Sequence, residues 1–311
     1  MIPLADALGW LRGEARRRAA ETVPLELAVG RVLSVDLALS VRPAHPTAAM
    51  DGVAVRGVET EGASDYAPLP VAGMRVHAGS RLPPGADAVL PLHAYENGAT
   101  TAAIARGGNV RPAGHDVPGD VWLAAGTILT PLHLAILDTD PRVAPRPRVA
   151  APPWPAVRAL LVQAGAIIVE GDADLVLMQV PAFTQMVAAG IAIRPGETTA
   201  IGLVDAIPAI CLPPHPADAA TVFALLAAPV LRHLARLPEP EPREGRLSRK
   251  ISSSLGQVDA VRVRLDGGTA VPLGPAEGIG LLAAAGANGL VLVPEGSEGY
   301  PAGTMVPIFP V

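Results

Sequence analysis

Leu4, Ala7, Leu8, Leu11 and Ala15 recur at helical spacing over residues 3–20, with Arg12, Arg16, Arg17 and Arg18 largely on the other faces. This spacing predicts an amphipathic helix whose arginines form a solvated face rather than a ligand site. From Val23 to about Leu137 the pattern breaks into short apolar stretches cut by glycine and proline, such as VLSVDLALSV, GVAVRGV, ADAVLPL and GDVWLAAGTIL. Such punctuation predicts strands and a β-rich region. Residues 141–155, PRVAPRPRVAAPPWP, carry six prolines, each lacking a backbone donor, and predict a stiff linker. Two apolar β-type runs follow, ALLVQAGAIIV and ADLVLMQV, and then IPAICLPP leads through Pro216 into a helical stretch near 217–236. Strand, turn, helix is an α/β signature, with Asp218 placed to cap the helix and Pro229 to kink it. A second linker, LPEPEPREG at 237–245, precedes QVDAVRVRL, TAVPL, GLVLV and MVPIF, which predict a small all-β domain. Neither repeats nor heptads are present, which excludes solenoids and coiled coils.

Composition sharpens this outline. A chain of 311 residues makes roughly two domains on a prior of ~150 residues each, with room for a third. The 32 glycines and 34 prolines favour turns and short strands over a helical bundle. Half the residues are hydrophobic, which excludes disorder of the whole chain, yet Phe, Trp and Tyr number three each, so Ala, Val and Leu must fill the cores. With 24 basic against 29 acidic side chains the net charge is −5, so no positive field is available for nucleic acid. The single Cys211 excludes a disulfide framework and a Cys-based zinc cage, and fits a reducing compartment. No apolar run approaches the ~20 residues of a bilayer span. Asp6 precedes the arginines, the reverse of a secretory signal, and the expectation is a cytoplasmic protein with no membrane partner.

Five segments carry candidate chemistry. In HPTAAMDGVAVR, residues 45–56, Asp51 stands at the mouth of a strand beside Gly52, fit either to hold a metal or polar ligand or to make an ordinary Asp-Gly turn. Gly79, Ser80 and Gly85, within residues 76–92, suit an anion cradle or a Pro-Gly hairpin. Residues 107–120 gather Asn109, Arg111, His115 and Asp116, where Arg111 could clamp phosphate or carboxylate and Asp116 could pair with it or hold a divalent ion, with a structural loop as the alternative. His215, in the turn CLPPHPADA, sits where open α/β sheets bind ligands, or is a surface histidine. Arg249, Lys250 and three serines in RLSRKISSSLGQVDAVRVRL read equally as donors or as a solvated strand edge. HExxH, GxSxG, Walker A and GxGxxG patterns are missing.

Taken in order, AAMDGVAVR, AGSRLPPGADAV, GGNVRPAGHD with GDVWLAAGTIL, AIRPGETTAIG with ICLPPHP, and RKISSSLGQVDAVRVRL with GANGLVLVPEGSEGYPAGTMVPI resemble the landmarks of the molybdopterin molybdenumtransferase family, the MoeA and gephyrin E-domain class. The resemblance implies α/β plus β architecture in an elongated multi-domain subunit. Its parts would be a helical and linker domain at 1–23 and 107–150, a β-rich inserted domain at 24–106, a reduced α/β molybdopterin-binding-like domain at 151–237 and a C-terminal β-barrel at 244–311. It further implies a homodimer that hydrolyses adenylylated molybdopterin, places molybdate on the dithiolene and releases AMP with Mg²⁺ assisting. Asp51 and Asp116 would be the cleft carboxylates and the metal-holding pair, with Arg111, Asn109 and Ser80 on the substrate. Pro213, His215 and Pro216 would shape the pterin-side turn, and Arg262 would belong to the barrel face.

Departures from the family pattern imply a second reading. Ala78 stands where the family has threonine, Pro214 and His215 replace Gly and Asn in its LPGNP turn, and Gln257 replaces an arginine. Only residues 157–192 fill a span that the family makes several times longer, and Asp174 to Pro181 stands where a glycine-rich loop is expected. Glu170, Asp172 and Asp174 lie nearby without an assigned role. A non-catalytic binding or scaffold protein, serving other proteins of the molybdenum cofactor pathway, is the alternative to the transferase.

Overall fold

A computed structural model describes all of residues 1–311, and the chain divides into two units: Thr22–Val143, and Met1–Glu21 together with Ala144–Val311. Both belong to a mixed, sheet-rich fold with few helices.

In Thr22–Val143 the organising element is an antiparallel sheet in the order Met74–Val76, Gly52–Val55, Ala88–Pro91. Alternation along Gly52–Val55 sends Val53 and Val55 to a cluster with Val71, Ala88 and Leu90, and Ala54 to another with Ala48, Val76 and Val89. Both faces of this strand are therefore covered, and all four of its residues are buried.

The larger unit carries two six-stranded sheets. In the first, Ile167–Ile168, Arg148–Ala150, Leu175–Met178 and Ile207–Cys211 run parallel, and Ala200–Val204 and Gln185–Ala188 complete the sheet antiparallel. Helices Leu4–Glu14, Pro155–Gln163 and Pro216–Ala235 pack on it through Ala7, Leu11, Val157, Leu161, Leu226 and Val230. The second sheet runs Ile193–Arg194, Val258–Asp266, Thr269–Pro272, Arg243–Leu247, Met305–Ile308, with Gly289–Val293 on the other flank of Val258–Asp266. A bridge between Leu290 and Phe309 returns the last strand to Gly289–Val293, so strand pairing runs around a closed circuit. The two sheets share a core, because Ala260 and Leu290 pack with the first sheet's residues. Its largest fully buried side chains are all Leu or Ile, as a chain poor in aromatics requires.

Several sequence expectations need correction. The first helix stops at Glu14, not near residue 20, because Arg17 and Arg18 leave it to bind other segments. Arg18 pairs with Asp174 at 2.6 Å and Asp172 at 2.8 Å, so this arginine is a tie rather than a solvated charge. The proline-rich stretch 141–155 is not simply a linker: Arg148–Ala150 is an inner strand of the first sheet. The first part of ALLVQAGAIIV, through Gln163, is helical, since Pro155 occupies the first turn and Val157 and Leu161 share a buried face, while its end, Ile167–Ile168, is the expected strand. Asp218 does not cap the long helix; its N-cap is His215, without a side-chain hydrogen bond. Pro229 is absorbed by a π-turn, Phe223–Ala227, which widens the helix where the proline ring would strike a carbonyl one turn back. The linker at 237–245 ends in strand Arg243–Leu247, and the last segment includes a helix, Leu281–Ala285. Finally, Pro216–Ala235 does match a membrane span by length and composition, but 67% of its apolar window is buried within the fold, the arrangement of a core helix.

Sequence reading missed the joint between the sheets. Strand Ile193–Arg194 pairs parallel with Val258–Asp259, and Arg194 donates Nε to Asp259 Oδ1 at 2.8 Å and Nη2 to Oδ2 at 2.6 Å. Asp259 is 1% exposed. Arg194→Met strands that carboxylate and is expected to cost about 3 to 5 kcal/mol in urea unfolding, whereas adding Asp259→Leu should recover most of the loss.

Candidate functional site

The predicted residues fall into two groups, one in each unit. In Thr22–Val143 the pivot is the two-residue strand Thr47–Ala48, which pairs with Val110–Arg111. Ala48 donates its N–H to the Ser80 carbonyl at 2.9 Å, Ala49 donates to Asn109 at 2.8 Å, and Gly79 donates to Ala48 at 2.8 Å. Backbone hydrogen bonds thus gather Ser80, Asn109 and Arg111 around the residues that lead into Asp51. The Asp51 carboxylate accepts from the Ala78 N–H at 2.8 Å and lies 3.6 Å from His77 Nδ1. The Ala78 hydrogen bond, helped by His77, holds the Asp51 carboxyl below the usual aspartate range. Backbone at Ala78 therefore makes a contact that does not need the family's threonine hydroxyl.

Gly52 explains why this corner is tight. A Cβ there would stand 2.2 Å from the Leu90 carbonyl oxygen and 2.7 Å from Val89. Asn109 takes φ of +53°, a conformation asparagine tolerates, and its Nδ2 donates to the Val89 carbonyl at 2.9 Å. Its amide is committed to the scaffold. Arg111 is exposed and makes no ion pair, and Asp116 is exposed with His115 Nε2 at 4.0 Å. The Arg111–Asp116 pairing that the sequence allowed is not formed. Nor does any group of three or more His, Cys, Asp or Glu side chains assemble that could hold a metal. Asp51 and Asp116 are both exposed and do not form a preformed cage with other acidic or histidine side chains.

The second group lies at the turn 211–216 in the larger unit. Pro213 is buried, His215 is exposed with Nδ1 3.6 Å from Asp218, and Pro216 opens the long helix. Arg262 reaches that helix from strand Val258–Asp266, donating Nη2 to the Ala217 carbonyl and to Thr221 Oγ1, each at 3.0 Å. Burial pushes the Arg262 pKa down, against the field of Asp218. Arg262 and Pro216 wall one cavity; Pro213 and His215 do not. Cys211 ends the preceding strand, and burial raises its thiol pKa, which suits a packing residue. Asp172 and Asp174 serve Arg18 and Arg148 as structural partners.

These features define a class of sheet-rich, multi-part chains with solved examples. The molybdopterin biosynthesis MoeA protein from Pyrococcus horikoshii OT3 shares the fold at a TM-score of 0.77, with 23% identity and all of both chains covered. Residues 2–139 match the MoeA N-terminal region (domain I and II), and residues 244–311 match the MoeA C-terminal region (domain IV). Molybdopterin molybdenumtransferase 2 of Mycobacterium tuberculosis (strain ATCC 25618 / H37Rv) is 28% identical over 381 aligned positions, 93% of this chain and 94% of the relative. The enzyme named molybdopterin molybdenumtransferase of Staphylococcus aureus (strain COL) is 24% identical over 99% and 95%. The chain belongs to the MoeA family, as a divergent member. An alignment of 381 positions exceeds the 311 residues available, so the mycobacterial relative carries residues with no counterpart here.

Two outcomes follow for the Asp51 corner. Gly52→Ala is expected to destabilise the protein by roughly 3 kcal/mol in thermal or denaturant unfolding, because the new methyl meets backbone that cannot turn aside. In an acid titration followed by the Ala78 amide resonance, the midpoint should fall below the ordinary aspartate value of about 3.9. Since folding depresses this pKa, the contribution is present above the unfolded value and is lost as pH falls through the folded one.

Proposed function

We propose that the chain acts in molybdenum cofactor biosynthesis, inserting molybdate into adenylylated molybdopterin with release of AMP. The observation that carries this reading is the corner in which backbone hydrogen bonds bring Asp51, Ser80, Asn109 and Arg111 around Thr47–Ala48, within the part matched to the family's N-terminal region. In this reading Arg111 donates to phosphate oxygens, while Asp51 and Asp116 serve as the catalytic carboxylates. Mg²⁺, when bound, would supply positive charge against the phosphates, and these two carboxylates would hold it. Pro213, His215 and Pro216 would shape the pterin side, with Arg262 on the C-terminal sheet. The P–O bond joining AMP to the molybdopterin phosphate breaks as water delivers its hydroxyl to one phosphorus and its proton to the departing phosphate; separately, the two dithiolene thiols form Mo–S bonds as one molybdate oxygen leaves as water with their two protons. We assign the four-part division, the barrel character of 244–311, a homodimer and a cytoplasmic location to the same proposal.

The LPPHP turn and the short central region favour a second reading, a non-catalytic binding or scaffold protein of the same pathway. Proline at 214 offers no N–H and cannot take positive φ, so a ligand cradled by that turn's backbone loses contacts there. AMP release from adenylylated molybdopterin, measured with molybdate and Mg²⁺ beside a full-length relative, separates the two. The transferase reading expects turnover that Asp51→Ala and Arg111→Ala each lower by about a hundredfold with unfolding unchanged. Turnover by the relative but not by this chain leaves the scaffold reading, in which Asp51→Ala does not alter cellular molybdoenzyme activity.

A further inference from the structure

Helices Pro155–Gln163, Pro216–Ala235 and Leu281–Ala285 contribute to the walls of a cavity of about 540 Å³. Most of its lining is hydrocarbon, including Leu160, Phe223, Ala224 and Leu281. Gln163, Arg232 and Arg262 are its polar side chains, and no carboxylate side chain lines it.

Arg262 is the unusual member. It is 8% exposed, and only its Nη2 is used by the protein; Nε and Nη1 find no acceptor there. No carboxylate comes within ion-pair distance, since Asp218 acts on Arg262 only through its field and lies beside His215. A guanidinium keeps its proton at any working pH, so this is a buried cation with unspent donors. Its uncommitted N–H groups, fixed in place by the Nη2 contacts, are free to donate to an anion that enters the cavity.

We propose that this cavity binds a monocarboxylate with an apolar body, its charge taken by the unspent N–H groups of Arg262 and its chain or ring lying against Leu160, Phe223 and Leu281. The wall is mostly hydrocarbon, which an apolar body covers and a fully hydrated molybdate or phosphate ion does not, so the apolar part of the ligand selects for an organic carboxylate. The volume is that of a site for a small organic molecule. This inference goes beyond the reaction proposed above, which places its phosphate chemistry at Asp51, Arg111 and Asp116.

Calorimetric titration of the full chain with octanoate, with octanol as its uncharged counterpart, and with molybdate and inorganic phosphate as competitors, tests it. Octanoate should bind one to one, and octanol about tenfold or more weaker. Arg262→Met should weaken octanoate by a similar factor, and Ala224→Trp, which fills the cavity and leaves Arg262 in place, should abolish binding. Neither molybdate nor phosphate should displace it. Absence of octanoate binding, equal binding of octanol, displacement by equimolar molybdate or phosphate, or unchanged affinity in a folded Ala224→Trp variant overturns the proposal. If Arg262→Met does not fold, Ala224→Trp and the octanol comparison decide. AMP release by the same preparation reads the transferase reaction separately, so octanoate binding without turnover keeps this site and removes that reaction.

Discussion

The bidentate pair between Arg194 and Asp259 is the joint on which the larger unit depends. A carboxylate 1% exposed is tolerable only when its partner stands in place, so the pair pins the register of Ile193–Arg194 against Val258–Asp259. That register matters because Val258–Asp266 serves two cores at once. Val261 and Val263 pack inside the C-terminal sheet, while Ala260 joins the core of the first sheet and Arg262 hydrogen-bonds to the long helix. A slip of one residue would exchange these faces, placing a guanidinium in a Val-lined core and valines against the Ala217 carbonyl.

Where local chemistry decides, the sequence was legible. Gly52 beside Asp51 signalled close backbone approach, and a Cβ placed there strikes the Leu90 carbonyl. The apolar run after Pro216 announced the long helix, and the alternation after residue 245 announced strands. Legibility failed where partners lie far apart in the chain. Arg18 looks like a solvated charge until Asp172 and Asp174, more than 150 positions away, close on it. Arg148–Ala150 sits among prolines that suggest a linker, yet only three residues are needed to pair with strands on both sides. Asp259 did carry a signal, an acid inside an apolar strand, but nothing local names Arg194 as its partner.

How the first sheet ends also reflects the shortness of the central region. Beyond the fourth parallel strand, Ile207–Cys211, the sheet is completed not by further strand-helix units but by that strand's hairpin partner, Ala200–Val204, and by Gln185–Ala188 on its outer side. Asp205 and Ala206 turn that hairpin with φ of +47° and +66°, the backbone of a tight two-residue turn that usually takes Asn-Gly. The outer strand is four residues long and carries a register irregularity between Met186 and Ala188, and both features discourage another strand from adding to the edge. An antiparallel finish needs only local turns, whereas each further parallel strand needs a crossover of a dozen residues or more.

The two groups of candidate residues differ in what they require of a ligand. Asp51, Arg111 and Asp116 are exposed, and charges in water interact at roughly 1 kcal/mol over contact distances, so their proposed roles would gain strength only where a bound substrate excludes solvent. Arg262 is held by the Ala217 carbonyl and Thr221 in the wall of a mostly apolar cavity, with the rest of its guanidinium uncommitted. The reaction proposed at the first group would therefore rely on its substrate to exclude solvent, whereas the proposed recognition of an apolar acid at the second rests on a donor already fixed in a mostly apolar wall. The same chain can have lost turnover at one group and still bind at the other, because the physical condition each group needs is supplied in a different way.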